Sequence, residues 1–159
     1  MGTFLFANPT SGRYAKKRID SLLMQLKAAG ISNTLFMVKT PAEVASCCKK
    51  IYLTDQLPFI IVAAGDGTIN AVINCLIPGT ATIAVLPLGT SNVLSAELGI
   101  TSLDEGIKRI LNGKHRPLAI GQLEMSGKKH RFALMAGIGL DGAVVRDLNV
   151  TEKRLFRQG

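Results

Sequence analysis

Along the chain, short and continuously apolar runs alternate with stretches whose apolar residues recur at helical spacing. Thr3 to Ala7 has strand length and composition. Asn8-Pro9-Thr10-Ser11-Gly12 interrupts it, and Ile19, Leu22, Leu23 and Leu26 then mark one helical face that stops at Gly30. Thr34 to Lys39 is rich in strand formers. Thr40-Pro41 follows with an N-cap and a proline at the first helical position, predicting a helix to about Leu53. Phe59 to Ala64 is apolar at every position, as a strand covered on both faces should be, and beyond Gly65-Asp66-Gly67-Thr68 a helix is predicted from Ile69, Val72, Ile73 and Leu76, ending at Pro78-Gly79. Thr82 to Leu86 repeats the buried-strand pattern, and Pro87-Leu88-Gly89-Thr90-Ser91-Asn92 leads into a short helix closed by Gly99. Ser102 with Glu105 then reads as a capping box ahead of Leu103, Ile107, Ile110 and Leu111, in a helix ending at Asn112-Gly113.

Strand followed by helix, repeated in this way, predicts an α/β fold: an open, mostly parallel sheet with helices on both faces. Ligands of such sheets sit beyond the carboxyl ends of the strands, where all of these glycine loops fall. After Gly113 the texture changes. Leu118 to Met125 and Arg131 to Ala136 are strand-like and read as a hairpin joined by Ser126-Gly127-Lys128-Lys129, and Gly137 to Gly142 leads into a weakly amphipathic, basic helix containing Val144, Val145 and Leu148. The chain thus divides into an α/β unit, residues 1–113, and the start of a β-rich domain, residues 114–159. A hairpin and one helix have little core of their own, so self-association through residues 114–159 is expected.

Composition narrows the function. The 159 residues are 47% hydrophobic and 19% charged, which suits a globular fold. No apolar run approaches the ~20 residues of a bilayer-spanning helix. Neither an export signal nor a myristoylation signal is read at the N-terminus, where Phe6 stands in place of the required Ser or Thr. Three cysteines make no disulfide framework; Cys47 and Cys48 share a helical pattern with Val44 and Ile51 and read as small core hydrophobes in a reducing cytosol. Nineteen basic against eleven acidic residues give +8, and residues 114–159 hold nine of the basic and four of the acidic ones. That surplus favours an anionic partner. With two Tyr and no Trp, stacking platforms are scarce and nucleic acid is not expected.

Two loops carry the chemistry. In Gly65-Asp66-Gly67-Thr68 the glycines let backbone N–H groups approach phosphate oxygens at a helix N-terminus. Asp66 beside phosphates is unfavourable unless it organises Mg²⁺ or accepts a proton from the nucleophile; the bland alternative is that it caps a helix. Gly89-Thr90-Ser91-Asn92 repeats the logic one unit later. Neighbouring parallel strands would bring the two loops together, with Thr90 as a phosphate donor and Asn92 as a bridge between loops. Neither G-x-G-x-x-G nor G-x-x-x-x-G-K-[ST] occurs, which disfavours dinucleotide oxidoreductases and P-loop NTPases.

Asn8-Pro9-Thr10-Ser11-Gly12, Gly65-Asp66-Gly67-Thr68-Ile69-Asn70 and Pro87-Leu88-Gly89-Thr90-Ser91-Asn92, in this order and spacing, resemble the catalytic domain of the diacylglycerol kinase and sphingosine kinase family, bacterial lipid kinases included. The resemblance runs over residues 3–150. NAD kinases and phosphofructokinases share the Gly-Asp-Gly-Thr loop and the same type of sheet, whereas the later Pro-x-Gly-Thr-x-Asn block belongs to the lipid kinases. The resemblance implies ATP in a cleft between an α/β and a β-sandwich domain, and transfer of its γ-phosphoryl group to a lipid hydroxyl with Mg²⁺. It implies nucleotide contacts from Asn8, Thr40, Gly65, Asp66, Gly67, Thr68, Asn70, Gly89, Thr90 and Asn92. Asp66 takes the catalytic or metal-organising role, Asp141 lies on the lipid side, and no residue is assigned as a direct metal ligand. Ala64, Ala71 and Val93 depart from the family's usual glycine, acidic residue and aspartate. Family members place further catalytic acidic residues in the second domain, so these 159 residues are expected to be a fragment, inactive alone. The implied setting is the cytoplasm, peripheral at a membrane, with ATP and a lipid as partners. The alternatives are an NAD kinase-like phosphotransferase and a nucleotide-binding module without catalysis.

Overall fold

The computed structural model describes residues 2–134 and 136. Strands β1 (Thr3–Ala7), β2 (Thr34–Met37), β3 (Phe59–Ala64) and β4 (Thr82–Pro87) form one parallel sheet in the order β2-β1-β3-β4. Helices α1 (Lys16–Ala28), α2 (Pro41–Thr54), α3 (Asp66–Cys75), α4 (Val93–Glu97) and α5 (Leu103–Asn112) make the connections. Because side chains alternate across a strand, an apolar run supplies two cores at once. Leu5, Ala7, Ile61, Ala63 and Leu86 face α1 and α5 through Ile19, Leu22, Leu26, Ile107 and Ile110. Phe6, Ile60, Val62, Ala64 and Val85 face α2 and α3 through Val44, Cys48, Ile51, Ile69, Val72 and Ile73. Each fully buried Leu or Ile contributes on the order of 1.5–3 kcal/mol. The expected α/β sheet covered on both faces is what the chain forms.

Local signals act largely as predicted. Thr40 Oγ1 accepts from Glu43 N while the Glu43 carboxylate accepts from Thr40 N, a reciprocal cap that starts α2. At α5 only half of the expected box exists. Ser102 Oγ accepts from Glu105 N at 3.1 Å, but the Glu105 carboxylate turns forward to accept from Arg109 Nε at 2.8 Å. Arg109 explains the difference, since its guanidinium also donates to Leu98 O at 2.6 Å and Gly99 O at 2.9 Å, closing the corner between α4 and α5.

The thiols behave as core atoms. Burial, with Cys75 beside it, pushes the Cys48 thiol up to about 12, and burial raises Cys47 and Cys75 as well. All three stay protonated at neutral pH and are poor nucleophiles.

The hairpin comprises β5 (Gly121–Met125) and β6 (Lys128–Phe132), antiparallel, with Met125 opposite Lys128. Its turn is two residues rather than the four expected. Ser126 and Gly127 both have positive φ, 52° and 73°, the requirement of a type I′ turn whose twist matches the strands. Lys128 and Lys129 therefore belong to β6, and Leu118 to Ile120 precede β5. The expected helix with Val144, Val145 and Leu148, the Gly137 to Gly142 stretch and Asp141 lie outside the described residues. No helix among the described residues is long and apolar enough to cross a membrane.

One glycine sets how closely α5 lies on the sheet. A Cβ on Gly106 would fall 2.3 Å from Leu86 Cδ2 and 3.2 Å from Ile100 Cγ2. Alanine has the better helix propensity by about 1 kcal/mol, yet overpacking costs about 1–3 kcal/mol. Gly106→Ala is therefore expected to lower the urea midpoint, whereas Lys108→Ala on the exposed side of α5 leaves it unchanged. A Gly106→Ala protein as stable as the parent would contradict this packing.

Candidate functional site

The sheet order reverses at β1, which has β2 on one side and β3 on the other. A crevice opens at the carboxyl ends of strands where neighbours diverge in this way. The loops after β1, β3 and β4 meet there. Asn8 Nδ2 donates to Thr68 Oγ1 at 3.0 Å, linking the β1 loop to the first turn of α3. Asn8 Oδ1 accepts from Thr10 N at 2.8 Å and Thr10 Oγ1 at 2.7 Å, which fixes the carboxamide. Arg13 N donates to Leu88 O at 3.0 Å, tying the β1 loop to the β4 loop.

Space at these contacts is tight, and at Gly89 it is backbone that leaves no room for a side chain. A Cβ on Gly89 would lie 2.3 Å from Gly65 Cα, and one on Gly12 would lie 2.4 Å from Thr90 Oγ1. The expected convergence of the two glycine loops is thus a backbone-to-backbone contact. Gly67 differs, for a Cβ there meets nothing within 4 Å. Among the described residues the space beside this helix start is open.

Asp66 does cap a helix, although not its own. Its Oδ2 accepts from Val93 N at 3.0 Å and its Oδ1 from Leu94 N at 3.1 Å, the first amides of α4. Such charge-assisted bonds at a helix start are favourable for both partners. Asn92 makes them reachable. It adopts φ 52° and ψ 43°, is 5% exposed, and turns the chain into α4. Its Oδ1 accepts from Gly89 N at 2.7 Å and its Nδ2 donates to Gly89 O at 2.8 Å. Asn92 therefore braces its own loop instead of bridging to the neighbouring one, because a left-handed residue folds its side chain back over the turn.

The N-terminus of α3 has Gly65 as its cap residue and no side-chain cap. Thr68 N and Ile69 N both turn back to Gly65 O, at 3.0 and 3.2 Å. Among the described residues the amides of Asp66 and Gly67 have no partner at the positive end of the helix, an arrangement suited to an anion. The exposed Thr90 and Ser91 lie on the adjoining loop.

Asn8, Gly65, Asp66, Gly67, Thr68, Gly89, Thr90 and Asn92 thus lie together at the carboxyl ends of β1, β3 and β4. Thr40 sits at the neighbouring β2–α2 junction with its hydroxyl committed to the α2 cap. Asn70 is exposed one turn along α3, where its carbonyl accepts from Asn74 Nδ2 at 2.9 Å. Two features escaped the sequence reading. Gly12 is a close-approach residue signalled only by the Thr-Ser-Gly tripeptide, and Arg13, Lys16, Lys17 and Arg18 form an exposed basic cluster at the start of α1 whose signal was its charge run. No group of three or more His, Cys, Asp or Glu among the described residues could hold a metal ion. Asp66 already accepts two amides, so the described residues do not by themselves make a Mg²⁺ site.

A family model for the diacylglycerol kinase catalytic domain matches residues 2–123. The diacylglycerol kinase of Bacillus subtilis (strain 168) is 36% identical over 121 residues, covering 73% of this chain and 40% of that protein. The Staphylococcus carnosus (strain TM300) diacylglycerol kinase is 30% identical over 120 residues, covering 73% and 39%. The chain therefore spans about 40% of the length of these curated relatives. Among solved structures, a putative diacylglycerol kinase from Bacillus anthracis str. Sterne superposes with a TM-score of 0.67 at 24% identity, over 80% of this chain and 47% of that one, which speaks for the fold.

Asp66→Asn is the direct test of the contact between loops. One acceptor oxygen becomes an NH₂ facing an N–H, so a bond is lost and a donor left unpaired, at a cost of about 1–3 kcal/mol. Chemical denaturation should show that loss; an unchanged midpoint would mean that the carboxylate does not hold α4.

Proposed function

We propose that this chain, which belongs to the diacylglycerol kinase catalytic-domain family, is the nucleotide-holding part of an ATP-dependent kinase that phosphorylates a lipid hydroxyl. The observation that supports this reading is the pair of amides at the start of α3 that have no partner among the described residues, beside an open Gly67 and next to the β1 and β4 loops. Phosphoryl transfer needs little covalent chemistry from a protein; it needs phosphates held still and their charge neutralised. The Asp66 and Gly67 amides supply donors, and Thr68, oriented by Asn8, and Thr90 add hydroxyls. Asn92 keeps the β4 loop in shape, and Thr40 and Asn70 extend the nucleotide side. ATP fits this donor set, since all of these groups favour anionic oxygens.

Mg²⁺, when bound with the nucleotide, would screen phosphate charge. Asp66 is the carboxylate placed to influence it or to receive the acceptor's proton, through lone pairs not used by α4. Diacylglycerol is the acceptor that the relatives' names favour over sphingoid or phosphatidylglycerol-like lipids. Residues 1–113 are read as the nucleotide unit. Residues 114–159, Asp141 among them, are read as the beginning of the lipid side. The basic cluster at Arg13 to Arg18 and the excess charge of residues 114–159 suit a peripheral approach to anionic lipid.

Gly67→Val separates binding from folding. A Cβ there meets nothing within 4 Å among the described residues, so the unfolding free energy should stay within about 1 kcal/mol of the parent, whereas ATP affinity should fall by ~10-fold or more as the side chain blocks backbone approach to phosphate. Unaltered ATP affinity would remove the phosphate from the start of α3. For catalysis, Asp66→Asn in the intact protein should lower turnover of diacylglycerol by ~10² while leaving ATP affinity within an order of magnitude. Near-normal turnover would leave Asp66 a purely structural residue.

A further inference from the structure

The β5–β6 hairpin is joined to the α/β layer through residues 114–120, which are exposed and without regular structure. Such a linker does little to fix orientation. The hairpin is nevertheless held at a defined place on α3. Asn74 Nδ2 donates to Arg131 O at 2.8 Å, and Arg131 N donates to Asn74 Oδ1 at 2.8 Å. The carboxamide thus takes both main-chain groups of Arg131 on the side away from β5, as a further strand would. Arg131 Nη1 donates to Leu76 O at 2.7 Å, at the C-cap of α3, where free carbonyls and the helix dipole favour a cation. Asn74 also donates to Asn70 O at 2.9 Å, so its own helix orients it. Ala133, just past β6, packs on the core beneath α2 and α3.

We propose that Asn74 is a positioning residue for phosphoryl transfer, and that Asn74 with Arg131 latches the first hairpin of the lipid side to the helix that carries the phosphate loop. Helix α3 then serves as a rigid gauge. Its first turn holds phosphate, and about 12 Å further along, at 1.5 Å per residue, its last turn holds the hairpin. The separation between donor phosphate and acceptor side is set by one helix rather than by the linker. The latch stands on the hydrogen bonds alone; its catalytic consequence rests on the lipid kinase reading.

The test uses the intact protein and its Asn74→Ala and Arg131→Ala variants. Asn74→Ala removes both main-chain bonds and should speed amide exchange in β5 and β6 by ~10-fold or more, with the parallel sheet still protected. ATP affinity should stay within about twofold, while kcat/KM for diacylglycerol in mixed micelles falls by ~10-fold or more. Arg131→Ala, which loses only the Leu76 contact, should show the same pattern more weakly. Unchanged hairpin exchange in Asn74→Ala overturns the latch. Faster exchange with unchanged kcat/KM overturns the positioning role. If the parent protein transfers no phosphate to diacylglycerol, the lipid kinase reading and the positioning role fall together, and the latch is decided by exchange alone.

Discussion

The contact on which the site depends is the meeting of two backbones, Gly65 against Gly89, at the carboxyl ends of adjacent strands. The parallel register that puts Ala64 beside Pro87 delivers the two loops side by side, and a Cβ on Gly89 would be only 2.3 Å from Gly65 Cα. Nothing larger than glycine fits between loops so close. From this approach follow the reach of Asp66 to the first amides of α4 and the tight fold of Asn92 over its own turn. Donors arranged in this way are preorganised, because the sheet holds them in place before any ligand arrives.

Asp66 is where structural and chemical demands coincide. A carboxylate in the first turn of α3 favours that helix, and here it also neutralises the start of α4. The same charge opposes phosphate at short range. The carboxylate is turned toward α4, and the first two amides of α3 carry no partner among the described residues. Removing the carboxylate therefore perturbs both loops, and stability and turnover must be measured separately before either loss is assigned.

Helix α3 is the hub of the described molecule. Ile69, Val72 and Ile73 bury one face against β3 and its neighbours, Thr68 meets the β1 loop, Asp66 meets α4, and Asn74 and Leu76 meet the hairpin. A ten-residue helix would be marginal in water alone; tertiary contacts along its length stabilise it. The thiol of Cys75, near its end, is raised by burial, in keeping with a helix whose surface is used for packing rather than for redox chemistry.

Local physics was legible in the sequence. Phe59 to Ala64 reads as a strand covered on both faces, Thr40-Pro41 with Glu43 caps its own helix, and the glycine loops fall between strand-like and helical patterns. These signals act over a few residues, so the α/β class and the position of the glycine loops at the strand ends followed from the chain alone. Partners distant in sequence did not. Asp66 caps α4 from 27 residues away, Arg13 joins Leu88, and Asn74 holds Arg131 57 residues on. Which of these groups meet is decided by strand order and register. Those depend on the burial of the two core faces together, and no local pattern in the sequence encodes them.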